Sequence, residues 1–129
     1  VFVRRGIVPD DASLYYIQQI VGYARAFEWG LTGRSLSPEQ AREIGFVNHV
    51  VAPEDLMAKA REIAMEIIEN VPPLTAQAFK LALAESIGQT VEKSCQFTGR
   101  AQEIIGATED HREAVRAYAE RRKPVWKGR

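Results

Sequence analysis

The chain has 129 residues, 46% hydrophobic and 26% charged, and its seventeen basic and seventeen acidic side chains cancel to a formal net charge of zero. Such a chain fits one soluble globular domain able to bury a core, with no global attraction to nucleic acid or an anionic membrane. No apolar run approaches bilayer-spanning length, no signal peptide is recognisable, and the single cysteine, Cys95, cannot form an internal disulfide, which points to the cytoplasm.

The chain opens on a β-branched, apolar start, Val1, Phe2 and Val3, which reads as a strand running through two arginines into Gly6-Ile7-Val8-Pro9. Asp10 and Asp11 follow at the join to a helix that begins at Asp10 or Ser13, where Leu14, Ile17 and Val21 recur at helical spacing. Gly22 breaks or bends it before a second short helix, Ala24 to Leu31, closed by Gly30 and Gly33. Ser35 or Ser37 caps a brief third helix with Pro38 at its first position and Gly45 at its end. Phe46 to Val51 is a second strand candidate.

From Glu54 or Asp55 the most regular helix begins, with Leu56, Ala60, Ile63, Ala64 and Ile67 on one stripe. Asn70 and the Pro72-Pro73 pair end it. A helix from about Leu74 to Ser86 follows, burying Leu74, Ala78, Leu81 and Ala82 and closed by Gly88. Thr90 caps the next, about Val91 to Ile105, which puts Cys95 on its apolar face as a small core residue. Thr108 caps the last, with Glu109 and Asp110 in its first turn and Ala114, Val115 and Tyr118 on its apolar side. Pro124 stops it, leaving a tail with an exposed Trp126. From Arg112 onward there are seven Lys/Arg against two Glu, so the charge is concentrated at this end.

The motifs in order are Gly6-Ile7-Val8-Pro9-Asp10 with Ser13, Ile20-Val21-Gly22, Arg25-Ala26-Phe27-Glu28 and Leu31-Thr32-Gly33. Then come Leu36-Ser37-Pro38-Glu39-Gln40-Ala41, Gly45-Phe46-Val47-Asn48, Val50-Val51 and the closing Arg121-Arg122-Lys123-Pro124-Val125-Trp126-Lys127-Gly128-Arg129. In this sequence they resemble the C-terminal half of the crotonase superfamily, the enoyl-CoA hydratase/isomerase family. The resemblance covers nearly the whole chain, and a full crotonase subunit is roughly twice as long, so the chain reads as a fragment. It implies a mostly α chain with one or two short strands, the C-terminal part of the crotonase-like (ClpP/crotonase) α/β spiral. Residues 1–52 would end the spiral core, and residues 53–129 would be the C-terminal helical oligomerisation region.

The resemblance further implies chemistry on acyl-CoA thioesters through an enolate, in fatty acid metabolism. Coenzyme A would enter as part of the substrate, with no prosthetic group, and the subunit would form a homo-oligomer, a trimer or hexamer. Taken by residue type, Asp10 is either a helix N-cap or a carboxylate facing a pocket. In crotonase-type isomerases and dehalogenases the position after this proline can hold a catalytic aspartate, which makes Asp10 the catalytic candidate. Hydratases of the family use two glutamates, and the second falls on Phe2, which cannot activate water. That favours an isomerase type over a two-glutamate hydratase. One of Tyr15 and Tyr16 would be a core ring and the other a surface ring.

The tail residues Arg121, Arg122, Lys123, Trp126 and Lys127 have the charge and aromatic character that a CoA nucleotide needs, and they also suit a solvated basic tail at a helix C-terminus. Lys80 is a further carry-over, from a helix whose lysine can neighbour the CoA phosphates. His49 and His111 stand alone, without ligand spacing for a metal. The alternative to an enzyme part is a non-catalytic helical oligomerisation or interaction module, and the isolated 129 residues are expected to turn over little substrate.

Overall fold

The computed structural model describes residues 2–9 and 12–129. Among the described residues the regular elements are all helical. They are α1 (Ser13–Val21), α2 (Tyr23–Thr32), α3 (Pro38–Glu43), α4 (Leu56–Asn70), α5 (Pro73–Ser86), α6 (Val91–Gly106) and α7 (Glu109–Glu120), with 3-10 turns at Val3–Arg5 and Pro53–Asp55.

The helix starts follow local side-chain chemistry. Ser37 caps α3 through a reciprocal box: its hydroxyl accepts the Gln40 N–H at 3.2 Å, and its own N–H donates to Gln40 Oε1 at 2.9 Å. Thr90 and Thr108 cap α6 and α7 by accepting the N–H groups of Lys93 and His111. Gly22, at φ 83 and ψ 155, takes a conformation closed to other residues and separates α1 from α2. The end of α7 differs from the sequence expectation. The helix stops at Glu120, before Pro124, because Arg121 adopts the left-handed conformation at φ 54.

Neither strand candidate is a strand. The described part of the first folds locally: Arg5 N–H reaches Phe2 O at 2.9 Å, Gly6 reaches Val3 O at 3.1 Å, and Ile7 reaches Phe2 O at 3.1 Å. The second turns back on α3, with Phe46 N–H donating to Ala41 O at 2.8 Å. A strand needs a partner ladder for its backbone groups, and without one these segments satisfy them in turns.

The chain forms two compact units, Val1–Leu56 and Met57–Arg129. In the first, α1 packs on α2, and α2 packs on the Val3–Arg5 turn. In the second, α5 packs on α6, and α6 meets α7. Burial is sparse in both. Among the described residues the buried hydrophobics are Val21, Ala41 and Ala117. The α4 stripe is periodic but only partly covered: Ile63 is half-buried while Leu56 is 59% and Ile67 50% exposed, and Leu81 and Cys95 are exposed too. Two separate folded units of about half this mass would together expose about 8,300 Å². The chain exposes 10,386 Å². Its apolar faces are made for cover that these residues do not supply.

Candidate functional site

The first unit holds an apolar pocket, built from the end of α2 outward. Gly33 is buried at φ 58, and a Cβ there would lie 3.0 Å from Arg4 Cγ and 3.1 Å from Val3 Cγ2. Glycine therefore lets the Val3–Arg5 turn close on α2. Arg4 Nε locks that approach by donating to Thr32 O at 2.7 Å. Trp29 anchors the opposite side, its indole N–H donating to Arg34 O at 2.8 Å and its ring meeting Phe46 edge-on at 5.5 Å.

Between the turn, α1 and α2 lies a cavity of about 360 Å³, walled by Phe2, Pro9, Leu14, Ile17 and Trp29 among others. Its volume is at the small end of ligand pockets, and its wall is mainly apolar. Asp10 and Asp11 lie outside the described residues, while Pro9, the neighbour of Asp10, stands on the pocket wall. Phe2 presents a phenyl ring where the resemblance expects the second glutamate. Tyr15 and Tyr16 are both exposed and stack edge-to-face on each other at 5.3 Å, so neither is the expected core ring.

The second candidate site is the tail, and here carboxylates organise the structure. Asp110, 1% exposed, is the one buried charged residue among those described. Its two oxygens accept the backbone N–H groups of Lys127 at 2.7 Å and Gly128 at 2.8 Å. Glu113 accepts both ends of the Arg122 guanidinium, at 2.6 and 3.0 Å, and the Val125 N–H at 3.0 Å. These contacts fold residues 122–128 back along α7 as a strap. At its end, Arg129 O accepts the N–H groups of Glu109 and Asp110 at 2.9 and 3.2 Å, satisfying orphan donors of the helix N-terminus.

The charges respond accordingly. The Arg122 guanidinium, helped by the Val125 N–H, holds the Glu113 carboxyl down to about 2, and Glu113 in turn raises Arg122. Lys127, through its hydrogen bond, and Arg129, through its charge, lower Glu109. Of the predicted cations, Arg122 is held by Glu113 and Glu120, Lys123 pairs with Glu69 at 3.1 Å, and Lys127 pairs with Glu109 at 3.0 Å. Trp126 is half-buried rather than exposed, its indole N–H on Glu69 O at 3.2 Å. Among the described residues, Arg121 and Lys80 are exposed and no ion pair engages them.

The whole chain, residues 1–129, matches the family model described as enoyl-CoA hydratase/isomerase. The chain belongs to the enoyl-CoA hydratase/isomerase family. It is 35% identical over 122 residues to the Bacillus subtilis protein YngF, which bears that family's name, covering 95% of this chain and 46% of that protein. It is 34% identical to the carnitinyl-CoA dehydratase of Salmonella typhi, covering 98% of this chain and 49% of that protein. The crystal structure of the Bacillus anthracis enoyl-CoA hydratase superposes with a TM-score of 0.94 at 31% identity, over 98% of this chain and 49% of that one. The chain thus spans about half the length of the relatives it matches.

In this chain of the enoyl-CoA hydratase/isomerase family, Arg122, Lys123, Trp126 and Lys127 fall together in one strap on α7, Arg121 caps the helix just before it, and Lys80 lies apart on α5. Three residues were missed. Asp110 and Glu113 read as ordinary acids near a helix start, because their partners, the Arg122 side chain and three backbone N–H groups, lie 9 to 18 residues away. Tyr118 was assigned to the apolar side of α7, yet it is 89% exposed and Val115 is 59% exposed. The side of α7 that is buried carries Asp110 and Ala117.

Proposed function

We propose that this chain serves as the C-terminal portion of an isomerase-type enzyme acting on acyl-CoA thioesters through an enolate. The observation that carries this reading is Phe2 in the wall of an apolar pocket that also includes Pro9. Hydration by two carboxylates needs a second acid to activate water, and phenylalanine has no proton to exchange. A single carboxylate at Asp10 suffices to move a proton between the α and γ carbons of a thioester. The enolate oxygen then needs N–H donors, which this reading assigns to protein beyond these residues.

In the same reading the nucleotide of coenzyme A is met by Arg121, which is exposed and in no ion pair among the described residues, and by the exposed ring of Tyr118, three residues earlier in the chain. Lys123 and Lys127 sit in solvent-exposed pairs of little energy and can exchange carboxylate for phosphate. Arg122 and Trp126 hold the strap, and Lys80 offers a separate cation on α5. Residues 1–52 would contribute the pocket and residues 53–129 the oligomer contacts. The single Cys95, a free thiol, suits a cytoplasmic setting. Among the described residues no helix is long and apolar enough to cross a membrane.

The test is to compare isomerisation of a 3-enoyl-CoA with hydration of a 2-enoyl-CoA in protein carrying this chain. Isomerisation should dominate, and Asp10→Asn should lower it by about 10²-fold or more. Hydration as fast as isomerisation would reject the isomerase assignment. Full activity in Asp10→Asn would reject Asp10.

A second reading, a non-catalytic helical oligomerisation or interaction module, is favoured by the uncovered faces of α4, α5 and α6, where Met57, Phe79 and Ile104 are 61%, 69% and 70% exposed. Both readings expect self-association, measured by light scattering. CoA binding separates them, since the module has no use for it.

A further inference from the structure

We propose that Asp110 is a positioning residue for nucleotide binding: by latching the C-terminal strap onto α7 it holds the exposed Arg121 in a left-handed conformation at the end of that helix. The inference rests on the reading of Arg121 and Tyr118 given above and extends it to a buried group that makes no contact with ligand.

Position 121 ends α7, where glycine is the usual residue because the left-handed conformation crowds any Cβ. Here it is arginine, at φ 54. Local bonds begin the reversal: Arg121 and Arg122 N–H donate to Tyr118 O at 3.2 Å and Ala117 O at 3.0 Å. For a residue with a side chain, such a conformation persists where surrounding structure over-determines it. The strap provides that. Immediately after Arg121 the chain runs back antiparallel to α7, pinned first at Glu113 through Arg122 and Val125 and then at Asp110 through Lys127 and Gly128.

The two pins differ in kind. Asp110 is 1% exposed and takes backbone N–H groups alone, so side-chain exchange in the tail cannot satisfy it otherwise. A carboxylate offers two oxygens to two donors, whereas an amide in its place offers one oxygen and turns an N–H toward the other. Asp110→Asn therefore removes one pin while keeping shape and volume. The consequence extends from one end of α7 to the other. Freed of the latch, the strap no longer compels the reversal at Arg121, and its side chain loses the fixed backbone that presents it at the end of α7.

The experiment measures adenosine 3′,5′-bisphosphate binding by calorimetry in protein carrying this chain, for wild type, Arg121→Gln and Asp110→Asn. Far-UV circular dichroism and trypsin cleavage within residues 121–129 are followed in parallel. The expected result is that Arg121→Gln weakens binding about tenfold with the strap intact. Asp110→Asn should weaken it by a similar factor, with helix content kept and tail cleavage accelerated. No binding by wild type, or full binding by Arg121→Gln, overturns the nucleotide reading itself. Loss in Arg121→Gln together with unchanged affinity in Asp110→Asn overturns the positioning role alone. Should Asp110→Asn fail to fold, Glu113→Gln loosens the same strap at Val125 and Arg122, and unchanged affinity there with a cleaved tail overturns it equally.

Discussion

The pocket of the first unit and the strap of the second solve opposite problems. The pocket is made by shape: a glycine permits close approach, one arginine locks it, and the wall is carbon. The strap is made by charge and hydrogen bonds, with Asp110 and Glu113 each taking two or more donors. A pocket of the first kind stays open to whatever packs beside it. A strap of the second kind is complete within its own unit. Completeness belongs to the polar site and openness to the apolar one, which reverses the usual link between a hydrophobic wall and a finished core.

Breaking the strap at its buried charge should have the largest effect. Asp110→Ala leaves the Lys127 and Gly128 N–H groups without their acceptor and should cost about 3 kcal/mol, read from urea unfolding of the second unit. The pocket should respond less. Gly33→Ala places a methyl group against Val3 and Arg4 at positive φ and should cost about 1–2 kcal/mol, with loss of ligand access to the cavity.

Acid sharpens the contrast, because the strap titrates and the carbon wall does not. Glu113 is held from the usual 4.5 down to about 2 when folded, so its contribution is complete above 4.5 and is lost as pH falls through about 2. The Val125 amide resonance should shift in that window, and Glu113→Gln should abolish the shift. The smallest effect is a gain. Arg121→Gly relieves the left-handed residue and should raise stability by about 1 kcal/mol while removing the guanidinium. Stability rising as nucleotide affinity falls would mark Arg121 as kept for its side chain.

Much of the helical framework was legible because helix starts are written locally. Ser37, Thr90 and Thr108 each cap through an N–H three residues on. The strands were misread for the complementary reason. Val1 to Val3 and Phe46 to Val51 have strand composition, but pairing is a property of two segments, and the described residues supply no second one. The α4 stripe of Leu56, Ile63 and Ile67 was correctly periodic, yet periodicity names a face and not its cover. The pocket was expected at Asp10, which lies outside the described residues. Phe2, Pro9 and Gly33 of the motif-bearing stretch line the cavity, while the sequence marks Leu14 and Ile17 only as a helix face and Trp29 not at all. Asp110 was invisible as a site residue, since nothing in a sequence distinguishes a first-turn acid facing water from one facing a returning backbone.

The two tryptophans are placed one to each unit, and each has its indole N–H on a backbone carbonyl of its own unit, Trp29 on Arg34 and Trp126 on Glu69. Each is thus a fluorophore whose emission reports one unit alone. With Trp29→Phe the remaining light follows the strap, and with Trp126→Phe it follows the pocket. The chain carries its own optical means of asking whether its halves melt together or in turn.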